Sequence, residues 1–436
     1  MRRGLHSILW LLLLSACGSP RPDSPPENHV CGLSNFVIGN TLERVNEIRL
    51  RQEEAHPPSG RTEVNVLELS AGGEFGSYGS GFLVGWGSVT SNPRPVARDN
   101  IQIVTGVSTG ALMATYAFLG RKDEELKQFY LNLSDAQIYT QRSLSLLWAS
   151  SLFDASGKQA LLKKNITTEI IDEVATHRGT RTLFIGLANL DSGRFVKVDM
   201  TKLANGFTDG KFASLAQRDD CYRAVIDGAT AIEVAFPPVF IDGEMYGDGG
   251  VRQHLFLVSP KNVLPPGVDM SKVSLRTIML IHGDLGVEDE TPGVGGATGV
   301  KNGVAYVAER AADIFTDQVL KASIRLANAI AREPGVVMGE YAKKLPKFET
   351  FYASASGAAC ECRKREEVKA KCLATSSGGA DIFCQPYMQC LEQMGEEDGR
   401  RYASTGQWQA FDNLPLSSEP VCAGAPRVPR LQPHFK

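Results

Sequence analysis

Residues 101–120 read IQIVTGVSTGALMATYAFLG. The opening run is apolar and β-favouring and predicts a strand over 101–105, while the run from Ala111 predicts a helix over 111–119. Between them, Gly106-Val107-Ser108-Thr109-Gly110 carries G-x-S-x-G spacing. In a strand–turn–helix setting that spacing builds a nucleophile elbow. The serine takes a strained backbone conformation on a sharp turn, so the residues two positions either side must lack bulk. Such a turn lifts the Ser108 hydroxyl out at the carboxyl end of a sheet. It also aims the N-terminus of the next helix, with its free N–H groups and positive dipole end, at the reacting centre.

Upstream, 64–69 predicts a short strand and 78–86 an apolar helix, with Ser70-Ala71-Gly72-Gly73-Glu74-Phe75-Gly76 between them. Consecutive glycines let backbone N–H groups face a cavity without side chains in the way, which suits an oxyanion hole formed by Gly72, Gly73 and Glu74. No Gly-Lys-Ser/Thr follows, so this is not a Walker phosphate loop, and the dinucleotide fingerprint does not fit either. Downstream, helices are predicted over 126–133, 167–175, 222–232 and 304–331, and strands over 182–188, 195–198, 239–241, 244–246 and 277–281. The alternation argues for a largely parallel sheet covered on both faces. A third glycine-bounded turn, Tyr246-Gly247-Asp248-Gly249-Gly250, ends the pair of short strands. By itself it reads as an ordinary β-turn with an acid.

Taken in order, the glycine-rich loop, the G-x-S-x-G elbow and the D-G-G turn resemble the patatin-like phospholipase family. The segment 228–239, GATAIEVAFPPV, resembles the stretch before that family's catalytic turn. The resemblance spans roughly 63–330 and is strongest to bacterial lipoprotein members over 69–86 and 104–120. It implies a three-layer α/β/α fold and a Ser-Asp dyad, Ser108 as nucleophile and Asp248 as general base and acid, with Gly106 and Gly110 as elbow glycines. It implies a lipid acyl hydrolase, a phospholipase A or general acyl esterase, that uses no cofactor and no metal. Two departures stand out: Ala71 holds the position of a usual first glycine, and Phe75 stands where many members place Arg or Lys. They motivate an alternative, a weak or inactive surface lipoprotein that acts as a binding module. A conventional triad would instead need a late histidine. His282, after the strand at 277–281, is the best placed, and His254 follows Asp248 closely.

The first residues carry Arg2 and Arg3, an apolar run over 8–14, and then Ser15, Ala16 and Cys17. This is the layout of a secretory leader, 1–16, too short to be a permanent span. Leu14-Ser15-Ala16-Cys17 resembles a lipobox, with Cys17 as the lipidated residue of an exported, membrane-anchored bacterial lipoprotein facing membrane lipids as substrate. Residues 17–60 are expected to be anchor and tether, with order beginning near Val64, and 61–350 the hydrolase domain. Beyond it, 351–436 is expected to be a loop-rich, cysteine-stapled tail, and the glycine-rich 293–303 a plain connector. Export makes disulfides the natural state of the eight cysteines other than Cys17, six of which fall between 360 and 422. Zinc is the lesser reading, because Cys360-x-Cys362 has no CxxC pair and no nearby histidine. The 436 residues carry a formal net charge of −3, with no basic run to recruit nucleic acid.

Overall fold

The structure is a computed structural model that describes residues 28–38, 62–138, 140–141, 151, 153–233, 235–257, 272–283, 285, 304–332, 347–373 and 383–410. The leader, Cys17, the glycine-rich segment 293–303 and Cys422 lie outside the described residues.

The described strands are β1 Asn28–His29, β2 Thr62–Leu69, β3 Ile103–Val107, β4 Thr140–Gln141, β5 Phe153–Asp154, β6 Thr182–Asn189, β7 Arg194–Asp199, β8 Val239–Ile241, β9 Glu244–Asp248, β10 Val273–Ile281, β11 Lys347–Ser354 and β12 Gln409–Ala410. All but β4 and β5 form one sheet in the order β1-β8-β9-β6-β3-β2-β10-β11-β12, with β7 also on β6. Its centre, β6-β3-β2-β10-β11, is parallel throughout. Such strands are buried on both faces, and the side-chain period of two sorts their residues. On β2, Leu67 and Leu69 join the core under the helices Gly76–Gly87, Thr109–Leu119 and Leu215–Ala229. Val64 and Val66 join a smaller core with Phe184, Phe256 and Leu275 on the opposite face. There the helix Val304–Arg332 covers Met279 and Ile281 with Leu320 and Ile324. This is the three-layer α/β/α arrangement the sequence suggests.

The fold turns on how β6 is shared. Its residues Phe184 to Asn189 pair with β7, which occupies one edge. The other edge takes β3 against residues Thr182 to Gly186 and then β9 against Leu187 to Asn189. Strand β3 therefore stops where β9 begins. Val107 pairs with Gly186 and Asp248 with Leu187, so two strands far apart in sequence end face to face.

Two expectations need correction. Residues 28–38 are not free tether: β1 extends the sheet on β8, and Cys31 is bonded to Cys221 of the helix Leu215–Ala229. Phe36 stacks on Phe212 with centroids 5.5 Å apart, and the Asp242 carboxylate accepts the amides of Cys31, Gly32 and Leu33 at 2.6–2.9 Å. The polar composition hid this docking, because the disulfide and Asp242 do much of the holding. The C-terminal region is not loop-rich among its described residues. Strand β11 runs through the expected boundary at 350/351 and pairs with β10 over eight residues, and the helices Ser356–Lys364 and Gln385–Thr405 follow. Disulfides Cys362–Cys390 and Cys372–Cys384 tie these parts together, and Cys360 is also disulfide-bonded.

Glu68 breaks the apolar alternation of β2. It is buried, neither carboxyl oxygen has a hydrogen-bond partner, and burial pushes its pKa up to about 8 against the opposing pull of Lys197. The folded protein thus holds a proton that the unfolded chain releases near pH 4.5. Linkage makes this group cost stability progressively as pH rises from about 4.5 to about 8. Glu68→Gln removes that cost, so the variant's melting temperature relative to wild type should climb between pH 5 and pH 8. A difference that stays flat across this range in thermal scans would contradict it.

Candidate active site

Ser108 stands between β3 and the helix Thr109–Leu119 with φ 54° and ψ −122°, outside the regions open to an ordinary side chain. Its carbonyl accepts the amides of Ala111 and Leu112, at 2.8 and 3.1 Å, which fixes the sharp exit into the helix. The flanking glycines are sterically required. A Cβ on Gly106 would lie 2.3 Å from the Gly110 carbonyl oxygen, and one on Gly110 would lie 2.2 Å from the Leu69 carbonyl oxygen. The elbow thus locks against both its own helix and the end of β2.

The glycine-rich loop follows β2. The Ser70 amide bonds to Leu280, the Ala71 amide to His254 and the Phe75 amide to Gly72, all at 3.1 Å. Gly73 has φ +55°, and its carbonyl accepts the Thr109 hydroxyl at 2.7 Å, which ties the loop to the elbow helix. A Cβ on Gly72 would fall 1.5 Å from the His282 carbonyl oxygen, so the loop lies directly on the end of β10. Among the described residues, no hydrogen bond engages the amides of Gly72 and Gly73. Ala71 is buried in the smaller core at a position without positive φ, so its methyl group does not distort the loop. Phe75 points away into the larger core.

Asp248 ends β9 and is buried. Its Oδ1 accepts the Gly250 amide at 2.7 Å, and a Cβ on Gly249 would sit 2.5 Å from the Gly186 carbonyl oxygen, so the turn presses against β6. A Cβ on Gly250 would lie 3.5 Å from the Ala71 methyl group, which places this turn beside the glycine-rich loop. Burial pushes the Asp248 pKa up to about 6, against the lowering effects of the Ser108 hydroxyl, the Gly250 amide and the more distant Lys158. The Ser108 hydroxyl is thus near enough to lower the pKa of the carboxyl group, while among the described residues Oδ2 has no hydrogen-bond partner. Catalytic hydrogen bonds are often long before substrate arrives and tighten in the reacting complex.

Both late histidines contact the glycine-rich loop. His282 is wholly buried, its amide bonds to Ser70 Oγ at 2.7 Å, and its Nδ1 meets the Ser70 carbonyl oxygen at 2.8 Å. A carbonyl only accepts, so Nδ1 carries the proton. Nε2 lies without a partner against Gly79, where a Cβ would be 2.2 Å away. His254 donates its amide to Ser323 Oγ, and its carbonyl accepts the Ala71 amide. Burial pushes both imidazoles down to about 4, which keeps them neutral. Their visible work is to hold the glycine-rich loop.

Two charged neighbours were not apparent in the sequence. Glu233 lies beside the turn, where a Cβ on Gly247 would be 2.5 Å from its Oε1, and its pKa is pushed up to about 7 by burial and then by the Asp248 charge. Lys158 is buried 2.8 Å from Asp227 Oδ1 and 4.8 Å from the Phe236 ring centroid, and its charge reaches Asp248. Lys158 arrives from a separate helix, so no local pattern announces it. Glu233 lies within GATAIEVAFPPV and was readable only as part of that phrase.

A strained serine, a buried acid on the adjoining strand end and a glycine-rich loop with two amides that no described residue engages lie together at one end of this α/β sheet. Residues 67–257 match the model of the patatin-like phospholipase family. Among solved structures, VipD from Legionella pneumophila is 12% identical over 68% of this chain and 61% of its own, with a TM-score of 0.34. ExoU from Pseudomonas aeruginosa, solved in complex with SpcU, is 12% identical over 79% of this chain and 71% of that chain, with a TM-score of 0.22. This chain therefore spans less than two thirds of VipD. No curated protein matches it.

The elbow glycines give a direct test. Gly110→Ala drives a methyl group into fixed backbone and should destabilise the fold by at least about 1–3 kcal/mol. Gly357, helical with open space around it, serves as control: Gly357→Ala should leave the melting temperature unchanged or slightly raised. Equal melting temperatures for the two variants would contradict the steric account.

Proposed function

We propose that this protein is a lipid acyl hydrolase that uses Ser108 as nucleophile and Asp248 as base and acid, and that works on the membrane to which Cys17 anchors it. The observation that supports this most is the end-to-end meeting of β3 and β9 on one edge of β6. It brings the two strand ends that carry Ser108 and Asp248 to neighbouring positions on β6, which is what a serine–aspartate dyad requires.

In this reading the Ser108 Oγ attacks the ester carbonyl carbon while its proton passes to Asp248. An ordinary aspartate is a poor base for this step, and the raised pKa improves it. The negative oxygen of the tetrahedral intermediate takes hydrogen bonds from the Gly72 and Gly73 amides, with Glu74 as a third candidate donor. Collapse breaks the bond to the alcohol, which leaves with the proton from Asp248, and the acyl group stays on Ser108. Water then attacks the acyl-enzyme and gives its proton to Asp248. The second collapse frees the fatty acid and returns the proton to the Ser108 oxygen.

Phospholipids are the first expected substrates, with neutral and short-chain esters next, because tethering to a membrane raises the local concentration of acyl lipids. Location as an exported lipoprotein is supported by the leader-like residues 1–17 and by disulfides such as Cys31–Cys221, which suit an oxidising compartment. Among the described residues no helix is long and apolar enough to cross a membrane.

Ser108→Ala should abolish both fluorophosphonate labelling and hydrolysis in a lipid panel. Asp248→Asn should lower kcat by about 100-fold or more, within the range expected of a positioned general base. Persistent labelling in the alanine variant would sink the assignment. The base acts as carboxylate, so kcat/KM should be flat above about pH 6 and fall about tenfold per unit below it. A profile that titrates near pH 4, or one abolished by His282→Ala in folded protein, would point to different machinery.

A further inference from the structure

The cysteine-bearing C-terminal region makes a contact with the proposed oxyanion loop that the family resemblance does not cover. Phe75 closes that loop and caps the helix Gly76–Gly87. Its ring meets Tyr387 edge-on, centroids 6.3 Å apart and planes at 77°. Tyr387 is fully buried in the first turn of the helix Gln385–Thr405.

The two helices behind this contact interlock through glycine. A Cβ on Gly81 or Gly85 would lie 2.0 Å from the carbonyl oxygen of Glu392 or Glu396. In return, a Cβ on Gly395 or Gly399 would lie 2.1 Å from that of Tyr78 or Phe82. Backbones this close fix the register, because a slide along the axis brings a side chain where only glycine fits. A polar contact pins the same register, since Tyr78 gives its hydroxyl to Asp398 at 2.9 Å, and Lys127 on the helix Asp123–Leu131 ties the C-terminal helix to a third element by bridging Glu392 and Glu396 at 3.1 and 2.7 Å. Disulfides Cys372–Cys384 and Cys362–Cys390 hold the start of the C-terminal helix, and Cys384 is its capping residue.

We infer that the helix Gln385–Thr405 positions the oxyanion loop, and that Phe75 seated on Tyr387 is the point through which it acts. The inference rests on the hydrolase reading above. Tyr387 behind Phe75 then adds to the supports already described, the Thr109 hydroxyl on the Gly73 carbonyl and the contacts of His254 with Ala71 and of His282 with Ser70. With Phe75 in place of a cation, stabilisation of the oxyanion depends on where the amides sit. Donors must lie about 2.7–3.1 Å from the oxyanion, and a misplacement of about an ångström costs on the order of 100-fold in rate.

The test uses the full-length protein, with p-nitrophenyl butyrate as substrate and a fluorophosphonate to titrate active serines. Tyr387→Ala should lower kcat per titrated site by about tenfold or more. KM should stay within about twofold and the pH profile should not move. Fluorophosphonate should still label to full stoichiometry, at a reduced rate, and Tyr387→Phe should restore kcat. Where the alanine variant does not fold, Tyr387→Leu keeps the bulk without the ring and should show the same loss. A wild-type kcat per titrated site in Tyr387→Ala or Tyr387→Leu overturns the inference, as does a loss wholly explained by fewer titratable sites. If wild type neither labels nor hydrolyses, the hydrolase reading falls and takes this inference with it; if wild type is active and the Tyr387 variants match it, only the positioning role falls.

Discussion

One edge of β6 carries the whole arrangement. A strand edge accepts one partner at each position, and here β3 fills it up to Gly186 while β9 fills it from Leu187 onward. Neither strand has room to lengthen without evicting the other. Ser108 and Asp248 are therefore the residues at which the two chains are forced off the ladder. The elbow strain and the D-G-G turn are two consequences of that collision. The glycines on each side, Gly106, Gly110 and Gly249, are what allow backbones to approach this closely, since each faces a carbonyl oxygen less than 3 Å from where a Cβ would be.

The electrostatics follow from the same burial. A carboxylate forced into the sheet junction loses water, and only the Gly250 amide, the Ser108 hydroxyl and the distant Lys158 lessen the penalty. Full pairing with a cation would have left a stronger acid and a weaker base. Lys158 is instead engaged by Asp227, and both nearby histidines are held neutral by burial. The environment thus raises the basicity of the aspartate without pairing it to a cation, while Glu233 beside the turn is itself raised by burial and by the Asp248 charge.

Much of the sheet could be read from the sequence because parallel strands buried on both faces leave short apolar runs bounded by turns, as at 64–69 and 182–188. The elbow was legible because its steric demands leave glycine as the usual solution two residues either side of Ser108. Other parts were hidden for physical reasons. Strand β11 reads KFETFYAS, mixed in polarity, and owes its place to pairing with β10. The seating of residues 28–38 depends on Asp242 and Cys221, some two hundred residues away. Lys158 and Glu233 come to Asp248 through tertiary packing, which no local periodicity encodes. The resemblance to a family supplied the expectation that the residues alone left open, that an acid in an ordinary-looking β-turn pairs with the serine.

The two departures from the family pattern have different physical weight. Ala71 costs little, because its backbone is ordinary and its methyl group adds to a small core that glycine would leave emptier. Phe75 changes the character of the loop. A cation there would act at a distance and tolerate small displacements, since Coulomb attraction falls slowly with separation. Backbone amides act through short, directional hydrogen bonds, which weaken steeply when misaligned. Exchanging charge for an aromatic anchor therefore shifts the demand from electrostatics to rigidity. The disulfide-held, glycine-interlocked C-terminal helix, with Tyr387 seated behind Phe75, is suited to meet that demand. On this argument the aromatic residue at position 75 and the helix behind it act as one structural solution.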